Sequence, residues 1–215
     1  MLANALCDTG RVPAETAEYR RPIGLAVLLI VAGVLGWYSS FDLTLEKIQT
    51  LINPDYVPSC NISPLVTCGP NMASEQGSVF GFPNPIIGVA AFIAPIVVGM
   101  AILAGARFAK WFWVLFNLGF VGAVAFIVWL MGVSIFVLGT LCPYCMLVWA
   151  SVIPMFWYVT AYNVKQGHFG NGRSSREVGA LVYPWMWTLV LLSFLVIVVL
   201  AQLRLDAVTT ILRML

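Results

Sequence analysis

WFWVLFNLGFVGAVAFIVWLMGVSIFVLGTLCPYCMLVWASVIPMFWYVTAYNV, residues 111–164, runs from Lys110 to Lys165 without one charged side chain. As a single helix rising 1.5 Å per residue it would extend roughly 80 Å, whereas the apolar core of a bilayer is about 30 Å thick. The stretch must therefore fold back on itself. Its one good turn signal is Gly139-Thr140-Leu141-Cys142-Pro143, which divides it into spans over 111–138 and 143–162. Proline suits the first position of the second helix, and glycine suits the turn before it.

Outward from this stretch lie three simpler uncharged runs, at 22–41, 85–106 and 182–201. The 215 residues are 61% hydrophobic and only 9% charged, against about a quarter charged in soluble domains. The fold class read from these numbers is an all-α integral membrane protein with five transmembrane helices and no room for a separate soluble domain. A net charge of +2 is too small to point to nucleic acid. The polar stretch 8–21 precedes a full-length apolar run with no small-residue cleavage site, so the first span is expected to be retained. Arg11, Arg20, Arg21, Arg107, Lys110, Lys165, Arg173 and Arg176 fall on one side and Lys47, Arg204 and Arg213 on the other. The first side is then cytoplasmic. Both the 42–84 loop and the turn at 139–142 face the opposite, extracytoplasmic compartment.

The long loop begins with a segment, 42–52, that spaces Leu45, Ile48, Leu51 and Ile52 along one helical face, as an amphipathic helix lying at the interface would. Pro54, Pro58, Pro64 and Pro70 rule out continuous helix beyond it. Trp111 and Trp113, with Tyr183, Trp185 and Trp187, are read as interfacial anchors at span ends. His168, in the glycine-containing connector 167–172, is read as solvated and not catalytic.

Four of the five cysteines form two close pairs. Cys142-Pro143-Tyr144-Cys145 puts two thiols at i and i+3 on the first turn of a helix, so both point to one face. Free amide hydrogens and the partial positive charge of a helix N-terminus favour thiolate, the attacking species. Such spacing also occurs in zinc sites, but structural zinc wants four closed ligands. Cys60 and Cys68 bracket a proline-containing segment that closes as a small ring or opens for exchange. Taken alone, that pair also fits a purely structural disulfide. Two pairs in one oxidising compartment supply a thiol–disulfide relay. Cys7 is expected to be cytoplasmic and outside the relay. Asn61-Ile62-Ser63 matches a glycosylation acceptor, a match too short to carry weight.

The order Cys60…Cys68, Ser74, Phe80-Gly81-Phe82-Pro83-Asn84, Cys142-Pro143-Tyr144-Cys145 resembles the vitamin K epoxide reductase family, in its bacterial disulfide-forming branch of actinobacterial five-helix type. The resemblance covers 22–162 and implies a four-helix bundle around a quinone, with the fifth helix outside it. It further implies that Cys145 reduces the quinone, menaquinone in preference to ubiquinone. Cys142 would link to Cys68, and Cys60 would receive electrons from a partner. Candidate quinone-binding residues by the same resemblance are Asn84, Trp149, Ser74 and Phe82. Animal members carry a tyrosine four residues after the cysteine motif, where Trp149 stands here. An indole donates one hydrogen bond and accepts none as a phenol does, so quinone reduction is expected and vitamin K recycling is not.

No fused thioredoxin-like domain is expected, so the implied partner is a separate thioredoxin-fold, DsbA-like protein outside the cytoplasm. Strong oxidants of that kind sit near about −120 mV, which makes quinone the downhill final step. The expected organisation is a cytoplasmic segment at 1–21, a catalytic core at 22–162, a cytoplasmic connector at 163–181, and a fifth helix with an extracytoplasmic tail at 182–215. The implied location is a bacterial inner membrane, crossed several times. Three alternatives compete. The other quinone-linked disulfide generator, the DsbB type, carries its two pairs in the opposite order. A thiol-lined metal-binding or transport protein would use Cys142 and Cys145 as soft ligands. A non-enzymatic scaffold with two structural disulfides leaves the motif at a span's mouth unexplained.

Overall fold

The computed structural model describes residues 22–169, 177, 179 and 181–206. Cys7, Arg11, Arg20, Arg21, Arg173, Arg176 and Arg213 lie outside the described residues, and with them most of the charge pattern that sets orientation. Among the described residues, five helical spans are long and apolar enough to cross a membrane. The first, α1, is Ile23–Ile52. A short α2 (Gly69–Ala73) lies in the long loop. The second span is made of α3 (Pro85–Ala91) and α4 (Ile93–Leu103). The third is α5 (Lys110–Gly132), continued by a π-helical segment Val133–Leu138. The fourth is α6 (Pro143–Gln166), and a 3₁₀ turn Tyr183–Trp185 leads into α7 (Met186–Leu205) as the fifth.

The charge-free stretch folds back where the sequence predicts. Gly139 takes a left-handed conformation, φ 69°, which costs a glycine nothing. Cys142 caps α6, and Pro143 occupies its first turn. The segment before the turn is wider than expected, because the backbone over Val133–Leu138 relaxes into π-helix, a form that tends to mark functional sites.

Two elements differ from the expectation. The amphipathic segment at 42–52 is not a separate interfacial helix but the continuation of α1, which is 30 residues long. At 1.5 Å per residue that is about 45 Å, so its last turns project beyond a bilayer core of about 30 Å. No proline or glycine interrupts α1 there. Leu43 and Glu46 turn inward toward the loop while Leu45, Ile48, Leu51 and Ile52 stay exposed. Lys47 Nζ donates to the Met72 carbonyl oxygen at 2.7 Å, fastening α2 to this projecting post. The second span is also broken, at Phe92. Pro95 has no N–H to offer the Ala91 carbonyl and its ring crowds that carbonyl, so α3 ends there.

In the bundle, α1 packs on α3, α4 and α6, and α5 packs on α6. α7 lies against α6 and the π-helical segment, with Trp157 Nε1 donating to Ser193 Oγ at 3.1 Å. Small residues permit the closest approaches: a β-carbon on Gly99 would stand 2.7 Å from the Ala26 carbonyl oxygen, a device common between membrane helices. Trp111 is 67% exposed as an anchor should be, but Trp113 is only 2% exposed. Its ring packs against Phe108, Phe116 and Tyr162, so it belongs to the core. His168 is not free in solvent either. Its Nδ1 lies 2.7 Å from Asn163 Oδ1, and its ring stacks on Trp113.

Candidate active site

Three of the four paired cysteines are drawn into one buried cluster with Leu43 and Met72, at the end of the bundle where α6 begins, and Cys145 packs against it. Cys60 and Cys68 are joined as a disulfide, while Cys142 and Cys145 are free thiols. Cys142 Sγ lies 3.2 Å from Cys68 Sγ. A pair of main-chain hydrogen bonds sets that approach. Leu141 N–H donates to the Leu65 carbonyl at 2.8 Å, and Thr67 N–H donates to the Leu141 carbonyl at 3.0 Å. Together they make a single parallel bridge between Val66 and Leu141, which brings the residues just beyond it, Cys68 and Cys142, side by side.

Other residues hold the two partners of this bridge. Asn61 Oδ1 accepts from Thr67 Oγ1, from Cys68 N–H at 3.1 Å and from Gly69 N–H at 3.2 Å, stitching the ring closed. Asn71 Nδ2 donates to Thr140 Oγ1 at 3.0 Å, tying α2 to the turn before α6. Ser134 Oγ, in the π-helical segment, donates to the Thr140 carbonyl at 2.6 Å. None of these three stood out in the sequence. Asn61 was visible only as the start of a glycosylation match, and that reading missed its place in the ring.

Cys142 sits at the N-cap of α6, its sulfur accepting from Cys145 N–H at 3.4 Å. Its thiol is pushed below the ordinary value, first by hydrogen bonding with the Cys145 side chain and then by the amides of Cys145 and Tyr144, against the opposing effect of burial. This is the thiolate-favouring environment expected of a helix N-terminus.

Beneath the cluster lies a cavity of about 490 Å³. Cys145 lines it, as do Trp149 one turn further along α6, Asn84 and Ser74. Its long wall follows α5 from Leu115 to Leu130, facing α3 and α4. Three of the four candidate quinone residues are thus brought together with Cys145, and Phe82 is not. Phe82 is 42% exposed and stacks with Phe80 outside the lining. Asn84 is buried, donating from Nδ2 to the Gln76 carbonyl at 2.6 Å and accepting from Val79 N–H at 3.1 Å. Ser74 Oγ donates to the Asn71 carbonyl at 2.9 Å and accepts from Gly77 N–H at 3.1 Å. Both brace the loop that roofs the cavity. A mostly apolar chamber with a few polar atoms at the thiol end suits a planar, lipid-soluble ring, so the residues present fit a quinone.

A family model described as the vitamin K epoxide reductase family matches residues 27–160. The chain belongs to the vitamin K epoxide reductase family. No curated protein matches it. Vitamin K epoxide reductase family members are membrane thiol–disulfide oxidoreductases that use quinone or vitamin K and work with thioredoxin-like partners. The chain is accordingly a multi-pass membrane redox protein. The family match ends before α7, and no residue of α7 lines the cavity.

Proposed function

We propose that this chain reoxidises a thioredoxin-fold, DsbA-like partner for disulfide formation in secreted proteins, passing electrons through Cys60/Cys68 and Cys142/Cys145 to a quinone. The observation that carries this reading is the line of sulfurs, with Cys68 Sγ 3.2 Å from Cys142 Sγ and Cys145 on the cavity wall. The site would face the extracytoplasmic side of a bacterial inner membrane, with the N-terminus in the cytoplasm. Residues 22–162 would form the catalytic core. Menaquinone is preferred to ubiquinone on family resemblance alone. Among the described residues no group of three or more His, Cys, Asp or Glu could hold a metal ion, and no observation favours the metal-transport alternative.

Exchange proceeds by thiolate attack on disulfide sulfur. A partner thiolate attacks Cys60, forming a mixed disulfide and releasing Cys68 as a thiolate. The partner's second thiolate then releases Cys60, and the partner leaves oxidised. Cys68 attacks Cys142 of the Cys142–Cys145 disulfide, expelling Cys145 as a thiolate. Cys60 resolves the Cys68–Cys142 bond, which restores Cys60–Cys68 and leaves the electron pair on Cys142 and Cys145. That end point corresponds to the arrangement observed, one disulfide and two thiols. A bound quinone would accept two electrons and two protons as Cys142–Cys145 closes, with Trp149, Asn84 and Ser74 bounding its ring.

A mixed-disulfide trap tests the order. In Cys68→Ala, Cys60 should retain a covalently attached extracytoplasmic thiol protein. Cys145→Ala protein supplied with reduced partner should consume no quinone. Attachment at Cys142 in place of Cys60, or quinone consumption at the normal rate, would overturn the assignment.

A further inference from the structure

The proposed relay requires a partner thiolate to reach Cys60, yet Cys60 is 5% exposed. The residues immediately before it are fastened to the projecting end of α1 by one side chain. Ser59 N–H donates to both carboxylate oxygens of Glu46 at 3.3 Å, and Ser59 Oγ donates to Oε1. The Tyr56 hydroxyl also hydrogen-bonds Glu46, which raises its pKa above the ordinary phenol value. Glu46 itself is 7% exposed, a buried carboxylate satisfied by this one strand of loop. Asp42, one turn earlier on α1, hydrogen-bonds the Tyr144 hydroxyl, which also reaches Ser59. The strap at 56–60 is therefore tied to α1 directly and to the Cys142–Cys145 turn through Tyr144.

We propose that Glu46 is a positioning residue, a latch whose carboxylate holds the strap at 56–60 against α1, so that Cys60 stays seated in the buried cluster with Leu43 and Met72 between turnovers and is reached only when a docked partner lifts the strap. The proposal rests on the reading of Cys60 as the partner-facing sulfur. Its physical basis is that hydrogen bonds to a charged acceptor are the strong ones. Several converge here on a single group, from Ser59, the residue before the cysteine concerned. Two neighbouring thiols and a disulfide are a hazard if any small thiol can enter, and a strap that yields only to a docked protein confines exchange to that protein.

The test uses full-length purified protein with Cys60–Cys68 oxidised, and an uncharged phosphine, tris(hydroxypropyl)phosphine, so that removing a carboxylate does not change attraction for the reagent. The phosphine and one water cleave a disulfide to two thiols and leave phosphine oxide, and maleimide labelling reports which sulfurs were freed. Glu46→Gln keeps one acceptor oxygen and should accelerate reduction of Cys60–Cys68 severalfold. Glu46→Ala removes the acceptor and should accelerate it by about tenfold or more. Reduction of Cys142–Cys145, measured in quinone-oxidised protein in which Cys60 and Cys68 are both alanine so that the relay cannot feed it electrons, should be the same with and without the Glu46 changes. That contrast separates a latch from general loosening, which would accelerate both pairs alike and overturn the proposal. Wild-type rates for Cys60–Cys68 in both Glu46 variants would also overturn it. Should Glu46→Ala not fold, the paired change Tyr56→Phe with Ser59→Ala must accelerate Cys60–Cys68 alone, and its failure to do so counts equally against the latch. A failed partner trap in Cys68→Ala would remove the partner-facing role of Cys60 while leaving these phosphine rates as they are, so the two ideas fail separately.

Discussion

Insertion of one glycine between Leu141 and Cys142 tests whether the parallel bridge aligns the two cysteine pairs. An added residue lengthens an extended chain by about 3.4 Å, comparable to the 3.2 Å between Cys68 Sγ and Cys142 Sγ. With the bridge intact, the sulfurs should stand roughly twice as far apart, beyond the reach of exchange. The chain can restore their approach only by surrendering the Leu141–Leu65 and Thr67–Leu141 hydrogen bonds. At a net worth of roughly 0.5–1.5 kcal/mol each, the competent arrangement should lose about 1–3 kcal/mol, a reduction of roughly 5- to 150-fold. The assay uses a background in which Cys60 and Cys145 are both alanine, so that Cys68 and Cys142 are the only remaining relay sulfurs. On addition of diamide, which takes up the two electrons and two protons and becomes the hydrazine, their disulfide should form readily in that background and be scored by intact mass under non-reducing conditions. The inserted glycine should cut its rate of formation by the stated factor, while a glycine inserted after Pro54, far from the bridge, should not. Equal rates in the two insertions would refute the idea that this bridge sets the sulfur approach.

Three further outcomes are expected. The thiolate absorbance of Cys142, taken as the difference from Cys142→Ser, should titrate below the ordinary thiol range, because its pKa is lowered. The thiolate then persists as pH falls toward neutrality, and Cys145→Ala, which removes the largest cause, should move the midpoint upward. Trp149→Ala should abolish or sharply slow quinone reduction while leaving Cys68–Cys142 exchange measurable, since Trp149 lines the cavity but is not part of the sulfur cluster; unaltered quinone kinetics would remove it from the site. Gly99→Leu should lower thermal stability in detergent, with overpacking costing about 1–3 kcal/mol, because its β-carbon would stand 2.7 Å from the Ala26 backbone oxygen. Wild-type melting of that variant would show that α1 and α4 separate freely.

Hydropathy made the spans legible because a bilayer demands a fixed length of apolar chain, and the Gly139 to Pro143 turn followed from what those two residues can and cannot do in a helix. The cysteine motif was placed on the first turn of α6 for the same reason. Hydropathy does not separate a side chain facing lipid from one facing protein, which is why Trp111 and Trp113 read alike though one is exposed and the other buried. Nor does it register that α1 continues past the membrane, since an amphipathic stretch at the interface and one projecting from a span share a period. Asn84, Ser74 and Trp149 came from family resemblance, and in the structure they line the same cavity as Cys145. Phe82, taken from the same motif, lies outside the cavity because the loop turns at Gly81, φ 81°, and leaves its ring on the surface with Phe80. Glu46 was hidden for a different reason. Its meaning depends on a loop residue 13 positions away, and no local pattern announces such a contact.

The wall between α4 and α5 has a consequence for how this protein must be assayed. Leu115 and Gly119 of α5 and Ala94 of α4 line the cavity and are also exposed, and both helices belong to spans long and apolar enough to cross a membrane, so this wall of the chamber would meet lipid. An apolar ligand entering there is drawn from the two-dimensional pool dissolved in the bilayer. Its effective concentration is the mole fraction in lipid, and well below saturation doubling the detergent or lipid around a fixed amount of ligand should nearly halve occupancy without any change in the protein. Saturation constants written per litre of buffer therefore have no fixed value for this site, whereas constants written per mole of lipid do.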